Sequence, residues 1–173
     1  MNFSIRTTIR GLVAPKHRLS CSSKLWKEGL AELCRRGGGI RESGAFLLGS
    51  RQGERRAITC FLYYDDLDPG CLDTGIVVFD GAGYGPLWQL CREAGLVVVA
   101  DIHTHPGTAR QSPTDRQNPM VAVSGHIALI IPEFARRTIS LRDLGIYEYL
   151  GEHQWQDHSG LGSETFFYIG RWG

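Results

Sequence analysis

The sequence predicts an α/β (α+β) fold: a single domain over residues 1–173, built on one mixed β-sheet flanked by helices. Three observations predict it. Short apolar runs bounded by glycine and proline recur along the chain, and Leu96-Val97-Val98-Val99-Ala100 reads as a strand buried on both faces. Two other stretches carry helical spacing with start and stop signals. At 42% hydrophobic and 21% charged residues, a chain of 173 can build one proper core.

Residues 3–13 alternate as an edge strand does, with Phe3, Ile5, Thr7 and Ile9 on one face and Arg6 and Arg10 on the other. This alternation outweighs the faint likeness of Met1 to Lys27, with six Lys or Arg and no acid, to a transit peptide. Ser22-Ser23 can cap a helix over about 24–35. Leu25, Trp26, Leu30, Leu33 and Cys34 form its apolar stripe, Arg35-Arg36 suit its C-terminus, and Gly37-Gly38-Gly39 stop it. No helix signal follows the three glycines, which argues against a phosphate loop.

Ala45 to Gly49 reads as a short buried strand with Glu42 at its entrance, and Arg51 to Glu54 as a hairpin turn. Arg56 to Tyr64 is the returning strand, with Ile58, Cys60 and Leu62 on one face. The acidic stretch 65–75 lacks the ligand spacing of a calcium loop and reads as a solvated connection. Ile76 to Phe79 is a further short strand. A helix then starts at Gly85-Pro86, turns Leu87, Leu90, Cys91 and Ala94 inward, and ends at Gly95. The buried strand 96–102 follows. Later strands are expected at 123–131, at 145–150 and 153–156 as a hairpin around Gly151-Glu152, and at 165–169. Trp26, Trp88 and Trp155 read as packing residues rather than a binding box.

The net charge of +1 gives no pull toward nucleic acid or acidic membranes, so neither is expected as a partner. No run of about eighteen apolar residues occurs, so no membrane helix is expected. The five cysteines are odd in number and include no Cys-x-x-Cys pair. That favours free, mostly buried thiols and a cytoplasmic location.

The chemistry concentrates where the central strand ends. His103 and His105 are two apart on a strand, so both side chains leave the same face. Pro106-Gly107 ends the strand, and Asp115 lies ten positions after His105, within reach of a folded-back loop. Two His and one carboxylate with an open fourth position is the ligand set of a catalytic zinc site. A hydrolytic site also needs a base and an oxyanion donor. Glu42 is the candidate base, because it precedes a core strand; its other reading is a surface carboxylate beside Arg41. Ser112 is the candidate donor; Ser112-Pro113 also suits a helix cap. Asp101 shares a face with His103 and either orients that ligand or faces solvent. His126 reads as a core or surface residue, or as part of the site wall. His17, His153 and His158 carry no motif.

Glu42, His103-Thr104-His105-Pro106 and Ser112-x-x-Asp115 together resemble the JAMM motif of the JAB/MPN metalloproteases. The likeness spans about residues 25–135 and is densest from His103 to Asp115. It implies a JAB/MPN-like fold with cytidine-deaminase-like layering. It further implies zinc held by His103, His105 and Asp115, with Glu42 as general base and Ser112 as oxyanion donor. The implied activity is hydrolysis of the isopeptide or peptide bond after the C-terminus of a ubiquitin-like protein. The partners would be that protein or its conjugates, along with conjugation enzymes from the same bacterial or antiphage operon. Two departures stand out. Six residues separate His105 from Ser112 where the family usually has seven, and Asp101 replaces a frequent aromatic.

Two other functional classes share part of this signal. A non-haem iron oxygenase also uses two His and a carboxylate, normally on an all-strand barrel, and needs neither Glu42 nor Ser112. A non-catalytic scaffold of the MPN type would bind partners only, and such modules typically lose the ligands that this chain retains.

Overall fold

The computed structural model describes residues 17–171, so the strand expected at 3–13 lies outside the described residues. In chain order the elements are β1 (Leu19–Ser22), α1 (Ser23–Arg36), β2 (Gly44–Gln52), β3 (Arg55–Tyr63) and α2 (Tyr64–Leu67). They continue with α3 (Tyr84–Ala94), β4 (Val97–Thr104), α4 (Pro113–Gln117), β5 (Ile127–Ile131) and β6 (Gly145–Gly151). β7 (Gln154–Asp157), α5 (Ser163–Phe166) and β8 (Phe167–Gly170) complete the set. The strands form one eight-stranded mixed sheet in the order β7-β6-β5-β4-β2-β3-β1-β8. A mixed sheet flanked by helices is the fold class read from the sequence, and it is unlike the all-strand barrel an iron oxygenase would normally bring. No helix among the described residues is long and apolar enough to cross a membrane.

β4 lies in the sheet's interior, antiparallel to β2 and parallel to β5. Alternation along β2 divides the core. Ala45 and Leu47 join Trp26 and Leu33 of α1 on one face, while Phe46 and Leu48 join Leu87 and Cys91 of α3 on the other. The α1 start is capped by Ser22, whose side chain accepts from the Leu25 amide at 3.2 Å. α3 ends at Gly95 in the left-handed conformation (φ 64°), a position glycine fills without a Cβ penalty.

Several expectations shift. The register between β2 and β3 slips past Leu48, leaving Thr59 unpaired as a bulge. That extra residue reverses parity, so Ile58 and Phe61 share the α1-side core while Cys60 is exposed. A second bulge falls at Val99 of β4. Residues 76–79 form no strand; the Val77 amide bonds to the Glu42 carboxylate and the Val78 amide to the Cys71 carbonyl. Residues 123–126 turn before β5 begins, and 163–166 are helical before β8. On α3, Leu87 and Cys91 are buried but Leu90 is 41% exposed, and on β4 Val97 is 47% exposed.

Candidate metal centre

β4 delivers His103 near its end, and His105 follows one residue beyond it. The His105 amide donates to the Ile131 carbonyl at 2.8 Å, which fixes the strand exit against β5. Both imidazoles are more than nine-tenths buried. The loop then doubles back to α4. Ser112 and Asp115 form a capping box: the Asp115 amide donates to Ser112 Oγ at 3.1 Å, and the Ser112 amide to Asp115 Oδ2 at 2.6 Å. A five-residue helix is thereby locked at its first turn, with the Asp115 carboxylate turned toward the histidines.

Three donor atoms converge as a result. His103 Nε2 and His105 Nε2 are 3.0 Å apart. His103 Nε2 lies 3.6 Å from Asp115 Oδ1, and His105 Nε2 3.3 Å from Asp115 Oδ2. Ligands about 2.0–2.1 Å from a tetrahedral metal are about 3.3 Å from one another. The observed spacing brackets that edge, so these three residues can hold a metal ion. The charges of these residues act on one another. Burial pushes Asp115 upward, but hydrogen bonds with His103 and His105 outweigh it and hold the carboxyl well below its usual range. Burial likewise opposes a charge on His103, yet Asp115, Asp101 and Glu42 together raise it above its ordinary value.

Glu42 is brought alongside. The antiparallel register pairs Gly44 with His103, and the Thr104 amide donates to the Ser43 carbonyl at 2.9 Å. Glu42 lies two residues before Gly44, near enough for its charge to act on His103. Glu42 is half-buried, and its Oε2 accepts from the Val77 amide at 3.2 Å. Its own amide donates to the Gly75 carbonyl at 3.0 Å. Gly44 is required by close approach: a Cβ there would run into the Tyr64 ring and the Ile102 carbonyl.

Ser112 is the α4 cap, as one of its two sequence readings anticipates. Accepting from Asp115 leaves its hydroxyl proton free to donate. Asp101 fits neither of its readings. It is 2% exposed, and it bonds away from His103, with Oδ1 2.6 Å from His126 Nε2 and Oδ2 accepting from the Tyr64 hydroxyl at 3.3 Å. His103 Nδ1 is buried with no hydrogen-bond partner among the described residues. His126 is a core residue paired to Asp101.

The sequence reading missed what holds the loop. Glu133, Phe134 and Ala135 all have positive φ (54°, 53° and 57°). Such a run is strained for residues with a Cβ, and it directs two amides at the site loop. The Glu133 amide donates to the Gly107 carbonyl at 3.1 Å and the Phe134 amide to the His105 carbonyl at 2.9 Å. From the other side, the Tyr147 hydroxyl donates to the Ala109 carbonyl at 3.1 Å. Pro132 was the one local signal, and it marks only where β5 stops.

Comparison with known proteins gives the fold more firmly than the chemistry. No family model matches the chain. A "Probable metalloprotease" from Sinorhizobium fredii is 32% identical over 63 residues, which span 36% of this chain and 39% of that relative. The match thus takes in well under half of either protein. The solution structure of protein DSY2949 from Desulfitobacterium hafniense superposes with a TM-score of 0.62 at 18% identity, covering 87% of this chain and 92% of that one. It shares the fold. A protein from Salinibacter ruber aligns at a TM-score of 0.46 and 17% identity, over 77% of this chain and 86% of its own.

Proposed function

We propose that this chain is a zinc-dependent peptidase or isopeptidase of the JAMM type, cutting the bond after the C-terminus of a ubiquitin-like protein. The convergence of His103, His105 and Asp115 carries the reading, and the metalloprotease name of the S. fredii relative supports its hydrolytic part. The motif likeness of Glu42 and of Ser112-x-x-Asp115 supports the finer assignment.

In this reading His103, His105 and Asp115 hold the zinc. When bound, that ion supplies Lewis acidity, which polarises the scissile carbonyl and eases deprotonation of water at neutral pH. Glu42 takes the proton from the attacking water and passes it to the departing amine. The Val77 amide steadies one Glu42 oxygen and leaves the other to carry the proton. The Ser112 hydroxyl donates to the oxygen that becomes negative as water adds to the carbonyl. The strained turn at 133–135 and Tyr147 keep the 106–112 loop from drifting, so Ser112 and Asp115 act as one preorganised unit. The substrate tail enters extended, and conjugation enzymes of the same operon are its source.

The test is incubation with ubiquitin-like fusions, read by intact mass. The expected product ends at the modifier's C-terminus. Glu42→Gln should keep the metal and lose about 100- to 10,000-fold in turnover. Full activity in that variant would remove Glu42 from the mechanism.

A further inference from the structure

We infer that a cavity at the opposite end of β4 from the histidines binds an amphipathic carboxylate, its apolar body against α3 and β4 and its head against Arg51, Arg56 and Arg92. The cavity measures about 530 Å³, within the range of small-molecule sites. Its apolar walls include Trp88, Leu96, Val98 and Val121, Ser124 and His126 also line it, and among the described residues no carboxylate does. Trp88 and Val123 are 39% and 63% exposed, so the apolar surface is open to a ligand.

The charge is what selects the ligand. Arg56 is 4% exposed, and its terminal nitrogens donate to the carbonyls of Val99 at 3.1 Å and Gly125 at 2.6 Å. Its Nε is buried with no partner among the described residues. Buried cations are ordinarily matched by an acid. Two carboxylates act on it from a distance, Glu148 and Glu54; Glu148 is taken by Arg18 at 2.6 and 2.7 Å and by His158 at 3.0 Å, and Glu54 by Arg18 at 3.1 Å. Burial lowers the Arg56 pKa, and the charges of Arg51 and Arg18 push the same way. Arg92 adds a further exposed cation; Arg51, also exposed, donates from Nε to the Gly53 carbonyl at 2.9 Å and meets a carboxylate, Glu54, at 3.7 Å. One buried cation with two exposed ones beside it, among many apolar groups, suits a singly charged head on a sizeable apolar body better than a phosphate, which asks for several free donors. Val98 lies five residues before His103, roughly 15 Å along the strand, so this site is separate from the metal centre.

The experiment is calorimetric titration of the full chain with octanoate and with N-acetyl-leucyl-leucine, each beside its primary amide, with and without chelator. Each acid that binds should do so at least about tenfold more tightly than its amide. Binding should persist in chelator. The double variant Arg51→Gln/Arg92→Gln, at exposed positions that leave the fold intact, should weaken it about fivefold, and Trp88→Ala further. Binding of octanoate alone would assign the site to fatty acids, and of the peptide acid alone to peptide C-termini; either supports the inference. Equal binding of acid and amide, no binding of either acid, or loss of binding on chelation would overturn it.

Discussion

Two His–carboxylate groups are anchored two residues apart on β4, at Asp101 and His103, and they are built in opposite ways. In the first, His103, His105 and Asp115 point three donor atoms at one spot, 3.0 to 3.6 Å apart. In the second, Asp101 and His126 meet at 2.6 Å, and the Tyr64 hydroxyl fills the remaining carboxylate oxygen. Both groups combine His with Asp, and all of these residues but the half-buried Asp115 are buried. The difference is closure. The Asp101 group satisfies itself, as buried polar groups in a core must. The His103 group brings two imidazole nitrogens together, an arrangement that a shared cation satisfies better than either ring can satisfy the other. A metal centre is thus marked by convergent acceptors, and the mere presence of His and Asp in a core does not mark one.

The comparison breaks most sharply with Asp115→Ala. If the proposed peptidase reaction is right, removing one convergent ligand should lower its turnover at least about 1,000-fold, the several kcal/mol that a metal would contribute to the transition state. Stability should fall as well, because the capping box, about 1 kcal/mol, is lost together with the carboxylate's contacts to His103 and His105. Metal content is what should separate this variant from Asp101→Ala. Asp101→Ala should destabilise the fold by about 3 kcal/mol in denaturant unfolding, because His126 is left buried without its partner, while metal content stays at the wild-type level. A third His–carboxylate group, His158 with Glu148 and Arg18, sharpens the contrast at smaller scale. Burial pushes Glu148 up, but Arg18 and His158 outweigh it and hold its carboxyl below the ordinary range. A depressed carboxyl stabilises the fold above its unfolded pKa and loses that contribution as pH falls through the folded value. Glu148→Gln should therefore cost about 2 kcal/mol above about pH 5, with the gap to wild type closing as the pH is lowered through the acid range, in melting curves recorded against pH.

The sequence exposed this site better than the sheet around it. His103, His105 and Asp115 stood out because parity and a short loop bring them together almost without tertiary information. α1 was legible through Ser22 and the three glycines, and α3 ended at Gly95 as expected. The bulges at Thr59 and Val99 were not legible, because a bulge is a property of the pairing between two strands, and neither residue is unusual by itself. Asp101 was misread for a related reason. Parity correctly gave it the face of His103, but its partners His126 and Tyr64 come from distant segments. The turn at 133–135 left no trace, since Glu, Phe and Ala carry no preference for positive φ. The Ile76 to Phe79 run looked like a strand because it is apolar and β-branched, yet it has an amide bonded to Glu42 in place of a ladder. Arg56 escaped notice as one of many arginines until its burial was visible.

The central claim is that the convergent group holds a metal and the closed group does not. Native mass spectrometry after zinc addition, on the wild type beside His105→Ala and Asp101→Ala, tests it most directly. The account predicts one zinc per chain in the wild type and in Asp101→Ala, and none in His105→Ala. Full zinc retention by His105→Ala, or a wild type that takes up no metal, would contradict it.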